Sequence, residues 1–464
     1  MANLSVVERA ARVVPSLRQL AWQELEFYGF VHFGINTFTG QEWGTGSENP
    51  ALFNPKKLDC RQWAKVFKAA GMRGMILTAK HHDGFCLWPS KATTHTVAGS
   101  PWEDGRGDVV KEAAAACAAY GLKFGIYLSP WDRHELSYGT GDAYNDFYKR
   151  QLRELLTNYG ELFCVWLDGA CGEGKNGRRQ AYDYQGYYEI IRELQPNAVI
   201  SISGPDVRWV GNEAGVCRSS EWSVVPDKID SPAFIPDLGS CKALAKARDR
   251  EFVWYPAEAD MSIRDGWFYH EKEDYSVKPL AKLREVYYKS VGANASLLLN
   301  VPPNQEGLIA QRDVETLISL GAQLKIDFKE NLAEGSTVRD TLHLNSEHTG
   351  QMTLDPSRDT YWHSGPMEKG VKAALILDLG DDYDIDKLVL KEHIATGQQI
   401  EKFSVFADRN TGEESPKSQW KKLFVGTVIG HKRVVRFTEM RVRRIKVVIE
   451  QTRGFATLES FEAY

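Results

Sequence analysis

Asp108-Val-Val-Lys-Glu-Ala-Ala-Ala-Ala-Cys-Ala-Ala-Tyr-Gly121, followed at once by Leu122-Lys-Phe-Gly-Ile-Tyr-Leu128, carries the reading of the fold. An aspartate able to accept from the first free backbone N–H groups opens a helix, and a glycine tolerant of a left-handed conformation closes it. The apolar run behind it is strand-length and reads as a buried strand. The same unit recurs on either side. Gly74-Met-Ile-Leu-Thr-Ala79 follows a helix that Asp59 caps and Gly71 stops, with Trp63, Val66, Phe67 and Ala70 on its apolar face. Leu162-Phe-Cys-Val-Trp-Leu167 follows a helix over about 142–159 whose inner face is Tyr144, Tyr148, Leu152, Leu155 and Tyr159, ending at Gly160. Residues 27–33 and 198–202 read as the first and fifth strands. Phe252-Val-Trp-Tyr255 and Ser296-Leu-Leu-Leu-Asn-Val301 are expected as the last, with a helix at about 279–291 between them.

Short apolar strands alternating with amphipathic helices pair in parallel through right-handed crossovers. Some 330 residues of this pattern predict a (β/α)8-like barrel, of the α/β class. No GxGxxG follows the first strand, so a dinucleotide site is not expected. After a helix near 309–327 the period changes to two. Leu375-Ile-Leu-Asp-Leu379, Leu388-Val-Leu390, Phe403-Ser-Val-Phe406 and Ile445-Lys-Val-Val-Ile449 are separated by turn-forming clusters. They predict a β-sandwich of roughly 125 residues. The boundary is placed near 335–340, giving a barrel over 1–338 and a sandwich over 339–464.

Composition narrows the function. Of 464 residues, 43% are hydrophobic and 26% charged, and the formal net charge is −5. No basic surplus exists to bind a phosphate backbone, so nucleic acid is not expected as a partner. No run of 18 apolar residues spans a membrane. The first ten residues lack a basic segment followed by an apolar core, so a cytoplasmic protein is expected, or a secreted one whose leader has been removed. The seven cysteines are odd in number and scattered without a CxxC pair, which reads as reduced and mostly buried thiol. Thirteen tryptophans fit either large cores or sugar stacking, and position must decide.

In a barrel the site lies at the C-terminal ends of the strands. That rule selects His32, Lys80-His81-His82-Asp83, Tyr127, Asp168, the 203–222 loop, the stretch from Glu258 to Trp267, and Asn300. Asp168, in Val165-Trp-Leu-Asp-Gly169, is the strongest candidate, because a carboxylate ending a buried apolar strand is costly unless paired or used. His81 and His82 are adjacent on an expected extended chain and so should point to opposite faces. With no spaced partner set, metal is not expected, and a polar cup of His32, His81, His82 and Tyr127 suits a polyol. A glycosidase needs a second carboxylate. Glu213, Glu221, and Glu258 with Asp260 all remain open on the residues alone. No GxSxG elbow or Walker A motif is present.

With these residues in view, the chain resembles glycoside hydrolase family 29, the retaining α-L-fucosidases. The motifs are His32-Phe-Gly34, Glu42-Trp43, Thr78-Ala-Lys-His-His-Asp-Gly-Phe85, Trp166-Leu-Asp-Gly169, Ser262-Ile-Arg-Asp-Gly-Trp-Phe-Tyr-His270 and Leu297-Leu-Leu-Asn-Val301. The C-terminal region is similar to discoidin-like carbohydrate-binding modules. The resemblance implies that Asp168 is the nucleophile and that His32, Glu42, Trp43, His81, His82, Tyr127, Trp166 and Trp267 contact fucose. Gly204-Pro-Asp-Val-Arg-Trp-Val-Gly-Asn-Glu213 is similar to the subgroup preferring α-1,3/1,4-linked fucose on branched Lewis-type glycans, which singles out Glu213 as acid/base. The implied substrate is a fucosylated oligosaccharide, with no cofactor. Competing expectations are a fucosidase of broader or α-1,2 preference, a non-catalytic fucose-binding lectin-like protein, and a metal-dependent hydrolase built on His81-His82-Asp83.

Overall fold

The computed structural model of the protein describes residues 4–227, 237–408 and 419–464. Eight parallel strands form the first sheet: β1 (Phe27–Val31), β2 (Gly74–Lys80), β3 (Lys123–Leu128), β4 (Cys164–Leu167), β5 (Val199–Ile202), β6 (Arg208–Trp209), β7 (Ala257–Ser262) and β8 (Ala295–Asn300). Their order is β5-β4-β3-β2-β1-β8-β7-β6. A parallel bridge between Ser201 and Val207, with Ile202 N–H donating to Val207 O at 2.9 Å, brings β5 to the edge of β6. The eight strands therefore make a nearly closed barrel, as the alternation of strands and helices predicts.

The period of two sorts the side chains. From β1, Phe27 and Val31 join the core between strands and outer helices, while Tyr28 and Phe30 enter a smaller interior core with Tyr127, Trp166 and Leu298. The expected helix signals operate. Asp59 accepts from the N–H groups of Arg61 and Gln62 at the head of helix Cys60–Ala69, and Asp108 accepts from Lys111 N–H at the head of Val109–Tyr120. The latter ends at Gly121 with φ +64°.

Two expectations fail here. Phe252–Trp254 is not a barrel strand: it pairs antiparallel with Val224–Pro226 in a separate two-stranded sheet. The barrel position belongs to β7, Ala-Glu-Ala-Asp-Met-Ser, which places Glu258 and Asp260 on the inward face and buries them, so an apolar-run criterion passes over it. β6, two residues long, lies inside the segment read as a loop.

The C-terminal region is an antiparallel sheet with strand order Thr337–Asp340, Ala373–Lys391, Arg433–Thr452, Ile400–Asp408, Trp420–Gly426, to which Ser460–Ala463 adds beside Ala373–Lys391. The stretches 375–379 and 388–390, expected as two strands, are halves of one 19-residue strand. Its register breaks between Asp378 and Tyr383, with Gly380 at φ +83° at the bend, so the sheet turns over on itself. Leu375, Leu388, Phe403, Ile445 and Phe461 fill the sandwich core. Trp362 is fully buried in that core and pairs across to Leu458.

The sandwich docks on the barrel beside the N-terminal ends of β1 and β8. Lys432 Nζ meets Glu26 Oε2 at 2.8 Å, and Asn294 Oδ1 accepts from His431 N–H at 2.7 Å. Gln398 Oε1 accepts from Ser223 N–H at 2.8 Å, and Arg433 Nη2 donates to Ser219 O at 2.8 Å. Burial alone would raise the Glu26 carboxyl, but Lys432 and then His431 hold it well below the usual carboxylate range. A carboxyl depressed in the folded state stabilises the fold above its unfolded pKa, and that contribution fades as pH falls toward the folded one. Lys432→Ala is therefore expected to lower the unfolding free energy at pH 7 by about 3–5 kcal/mol, since it leaves the buried Glu26 carboxylate to the longer, 3.5 Å contact with His431. The double variant Glu26→Gln/Lys432→Met is expected to regain most of it. Urea unfolding of the three chains measures this, and an undiminished midpoint for Lys432→Ala would refute it.

Candidate active site

The C-terminal rim of the barrel gathers side chains far apart in sequence. Asp168 is the first residue past β4. Its Oδ2 accepts from the Tyr127 hydroxyl at 2.9 Å and its Oδ1 from Ala170 N–H at 2.7 Å, which fixes the carboxyl plane. Tyr127 is itself stacked on Trp166, ring centroids 5.2 Å apart. Around Asp168 opens a recess of about 210 Å³, lined by all ten residues to which the family resemblance gives a role: His32, Glu42, Trp43, His81, His82, Tyr127, Trp166, Asp168, Glu213 and Trp267.

His81 and His82 do not diverge as an extended chain would require. The strand ends at Lys80 and turns, with Gly84 N–H donating to His81 O, so the two rings face the same recess with centroids 4.1 Å apart. Burial keeps all three imidazoles neutral: it lowers His32 to about 3, His81 well below its ordinary value, and His82 below it also. His32 Nδ1 pairs with Asn300 Oδ1 at 2.9 Å and His82 Nδ1 with Ser129 Oγ at 2.7 Å. Asn300 Oδ1 can only accept, and the Ser129 hydroxyl already donates to Trp131 O, so both rings spend their one N–H at Nδ1 and Nε2 of His32 and His82 is left to accept from a sugar hydroxyl.

Three residues chosen by position serve the site from outside the recess. Lys80 is fully buried, its ammonium held by Asp132 and Gln151, each at 2.9 Å. Asp83 accepts from Phe85 N–H and from Asn36 Nδ2, and Asn36 also donates to Glu42 O, so Asp83 shapes the loop that presents Glu42 and Trp43. Asn300 donates to Ser262 Oγ and Trp267 O at 3.0 and 2.8 Å, tying His32 to Trp267. Glu42 accepts from Trp267 N–H at 2.8 Å and pairs with His270 Nε2 at 2.7 Å.

The candidate second carboxylates separate sharply by environment. Glu213 is exposed on a turn between Gly211 and Gly215, both at positive φ, and its Oε2 accepts the Trp267 indole N–H at 3.3 Å. Glu221 is buried in an ion-pair cluster with Arg208 and Arg218 and does not reach the recess. Glu258 is buried in the barrel interior, where it accepts from the Tyr28 hydroxyl and from Trp166 Nε1; burial raises it to about 7. Asp260 does line the recess, and burial pushes its carboxyl well above the ordinary range.

A second space, a cleft of about 450 Å³, opens from the recess. The two share Trp166, Asp168, Ala170, Glu213 and Asp260. The cleft continues past Trp209, Tyr255 and Ile202, which the sequence reading did not single out. Trp209 stands in the same motif as Glu213, so an aromatic four residues before the acid was the available signal. Among the described residues no group of three His, Cys, Asp or Glu side chains is placed to hold a metal ion.

The family model described as alpha-L-fucosidase matches residues 17–328. The chain is 42% identical to Alpha-L-fucosidase 1 of Arabidopsis thaliana over 446 residues, covering 95% of this chain and 85% of that protein. It resembles the crystal structure of SpGH29 with a TM-score of 0.86 at 35% identity, over 97% of this chain and 98% of that one. A Ruminococcus gnavus GH29 fucosidase in complex with fucose gives a TM-score of 0.87 at 31% identity, over 98% and 95%.

The carboxylates can be told apart by stability. Glu221→Ala strands two buried guanidinium groups and is expected to cost about 3–5 kcal/mol of unfolding free energy. Glu213→Ala, at an exposed position, is expected to stay within about 0.5 kcal/mol of the wild type. Denaturant unfolding checks both, and equal losses would contradict the environments described.

Proposed function

The chain belongs to the α-L-fucosidase family, glycoside hydrolase family 29, and is a glycoside hydrolase; from that premise we propose how it cleaves and which linkage it prefers. Fucose occupies the recess. The neutral imidazoles of His32, His81 and His82 take its hydroxyls, and Trp166 and Trp267 cover its apolar face. Asp168 attacks the anomeric carbon while Glu213 gives its proton to the departing glycosidic oxygen. Glu213, now ionised, takes a proton from water as that water attacks the anomeric carbon and the bond to Asp168 breaks, releasing its carboxylate, so two inversions retain the configuration. The observation that carries this reading is the shared wall: Asp168 and Glu213 both border the recess and the cleft, where a scissile bond between fucose and its neighbour would lie.

The preferred substrate in this reading is α-1,3/1,4-linked fucose on a branched glycan. The sequence of the Glu213 segment supports it, as does a cleft roomy enough for more than one sugar. A Lewis-type trisaccharide is expected to be hydrolysed faster than a 2′-fucosylated one, and the opposite ranking would remove the preference. Asp168→Ala is expected to lower turnover by about a thousandfold or more while the protein stays folded. A folded variant keeping a tenth of wild-type activity would end the nucleophile assignment.

Glu213→Ala is expected to impair release of a sugar far more than release of an activated aryl group, because a good leaving group departs without a proton. Added azide should restore turnover on the aryl substrate, since it attacks without a base. Equal losses on both leaving groups without azide rescue would move the acid/base role elsewhere.

A further inference from the structure

Asp260 is the third carboxyl group on the wall where recess and cleft meet. It follows Glu258 by two residues in β7, so both side chains enter the barrel. Glu258 lies deeper and is committed to Tyr28 and Trp166. Asp260 is used differently. Its Oδ1 accepts the Trp209 indole N–H at 2.7 Å, and its backbone carbonyl accepts from Gly215 N–H at 3.0 Å, at the close of the Glu213 turn. Among the described residues no other side chain donates to the carboxyl. Trp209 is half-buried and lines the cleft but not the recess. Beyond it stands Tyr255, whose hydroxyl donates to Gly204 O at 2.7 Å and closes the far side.

We propose that Trp209 and Asp260 form the binding site for the sugar that leaves: the indole packs on a pyranose face, and the free carboxyl oxygen of Asp260 hydrogen-bonds a hydroxyl of that same sugar. An indole locked by its own N–H bond offers a flat apolar surface at little entropic cost. Burial first, then the neighbouring Glu258 and Glu213 carboxyls, favours the protonated form of Asp260, which makes the free oxygen a donor. The ligand class follows: a hydroxyl-bearing pyranose linked to fucose, in contrast with an aryl group, which offers no hydroxyl to Asp260. This site rests on the reading of Asp168 and Glu213 as the reacting pair.

The test compares wild type, Asp260→Ala, Asp260→Asn and Trp209→Ala. For each, kcat and KM are measured on an aryl fucoside and on whichever of the Lewis-type and 2′-fucosylated trisaccharides the wild type cleaves faster. Asp260→Ala and Trp209→Ala are expected to lose at least tenfold more kcat/KM on the trisaccharide than on the aryl fucoside, chiefly through KM. Asp260→Asn is expected to recover most of the alanine loss, because an amide keeps an acceptor for Trp209 and a donor for the sugar. Equal losses on both substrates, or an asparagine variant as poor as alanine, would overturn the site. Should Asp260→Ala fail to fold, Trp209→Ala at the half-buried rim decides alone. A wild type inactive on all the substrates would overturn the reacting pair and this site together, whereas an active wild type with equal losses overturns this site only.

Discussion

The burial of Glu258 inside the barrel is the constraint on which the site depends. A carboxyl at zero exposure costs several kcal/mol unless its oxygens are satisfied. Tyr28 and Trp166 supply those donors, from β1 and β4 on two sides of the barrel. The bond fixes the Trp166 indole, Tyr127 stacks on that indole, and the Tyr127 hydroxyl donates to Asp168. The orientation of Asp168 is therefore transmitted upward from a buried acid that does not touch the recess. Substituting any member of this line changes the packing of the next, because each contact is a ring face or a hydrogen bond with one geometry.

That same buried acid explains where reading from the residues stopped. Strands rich in Val, Ile and Leu announce themselves by their apolar runs, as β2 and β8 do. β7 carries Glu258 and Asp260 on its inward face and Ala257, Ala259 and Met261 opposite, so it contains no apolar run to announce it. The apolar Phe252–Trp254 beside it was a more convincing strand, and is one, but in another sheet. Turns were the second blind spot. Opposite-facing histidines are a correct inference for a strand, but the strand ends at Lys80, before either of them. The convergence of His32, His81, His82, Tyr127, Asp168 and Trp267 was legible because a barrel rim collects strand ends whatever their separation in sequence, whereas Glu42, Trp43, Trp166 and the choice of Glu213 came from the family resemblance. The cleft was less so: Ile202, Trp209 and Tyr255 come from a segment whose course depends on tertiary contacts.

Those contacts include the C-terminal sandwich. Ser219 and Ser223, downstream of Glu213, are held by Arg433 and Gln398 of the sandwich, and Ser220 by Thr427 at 2.5 Å. Between them Glu221 binds Arg208 and Arg218, which adjoin β6 and the Glu213 turn. The second domain thus anchors one end of the segment that presents the acid, while the backbone of β7 anchors the other through Val210 and Gly215. Residues beyond the barrel help set the geometry of its rim, and this gives the sandwich a physical role in the site without any sugar bound to it.

Five carboxyl groups in this region share one functional group and differ only in surroundings. Glu221 is ion-paired with two arginines, away from the recess. Glu258 is sealed from solvent by the donors that orient Trp166. Asp260 is buried with one oxygen committed to an indole. Asp168 accepts two donors at the mouth of a recess, which leaves its position fixed and its approach to a bound sugar open. Glu213 alone among these acids is exposed, on a turn bounded by two glycines. In the proposed mechanism that exposure is a requirement. The group that protonates a leaving oxygen must afterwards meet the water that replaces it, and a carboxyl sealed like Glu258 could serve neither step. Its hydrogen bond from the Trp267 indole, at 3.3 Å, is long enough to yield to a substrate oxygen.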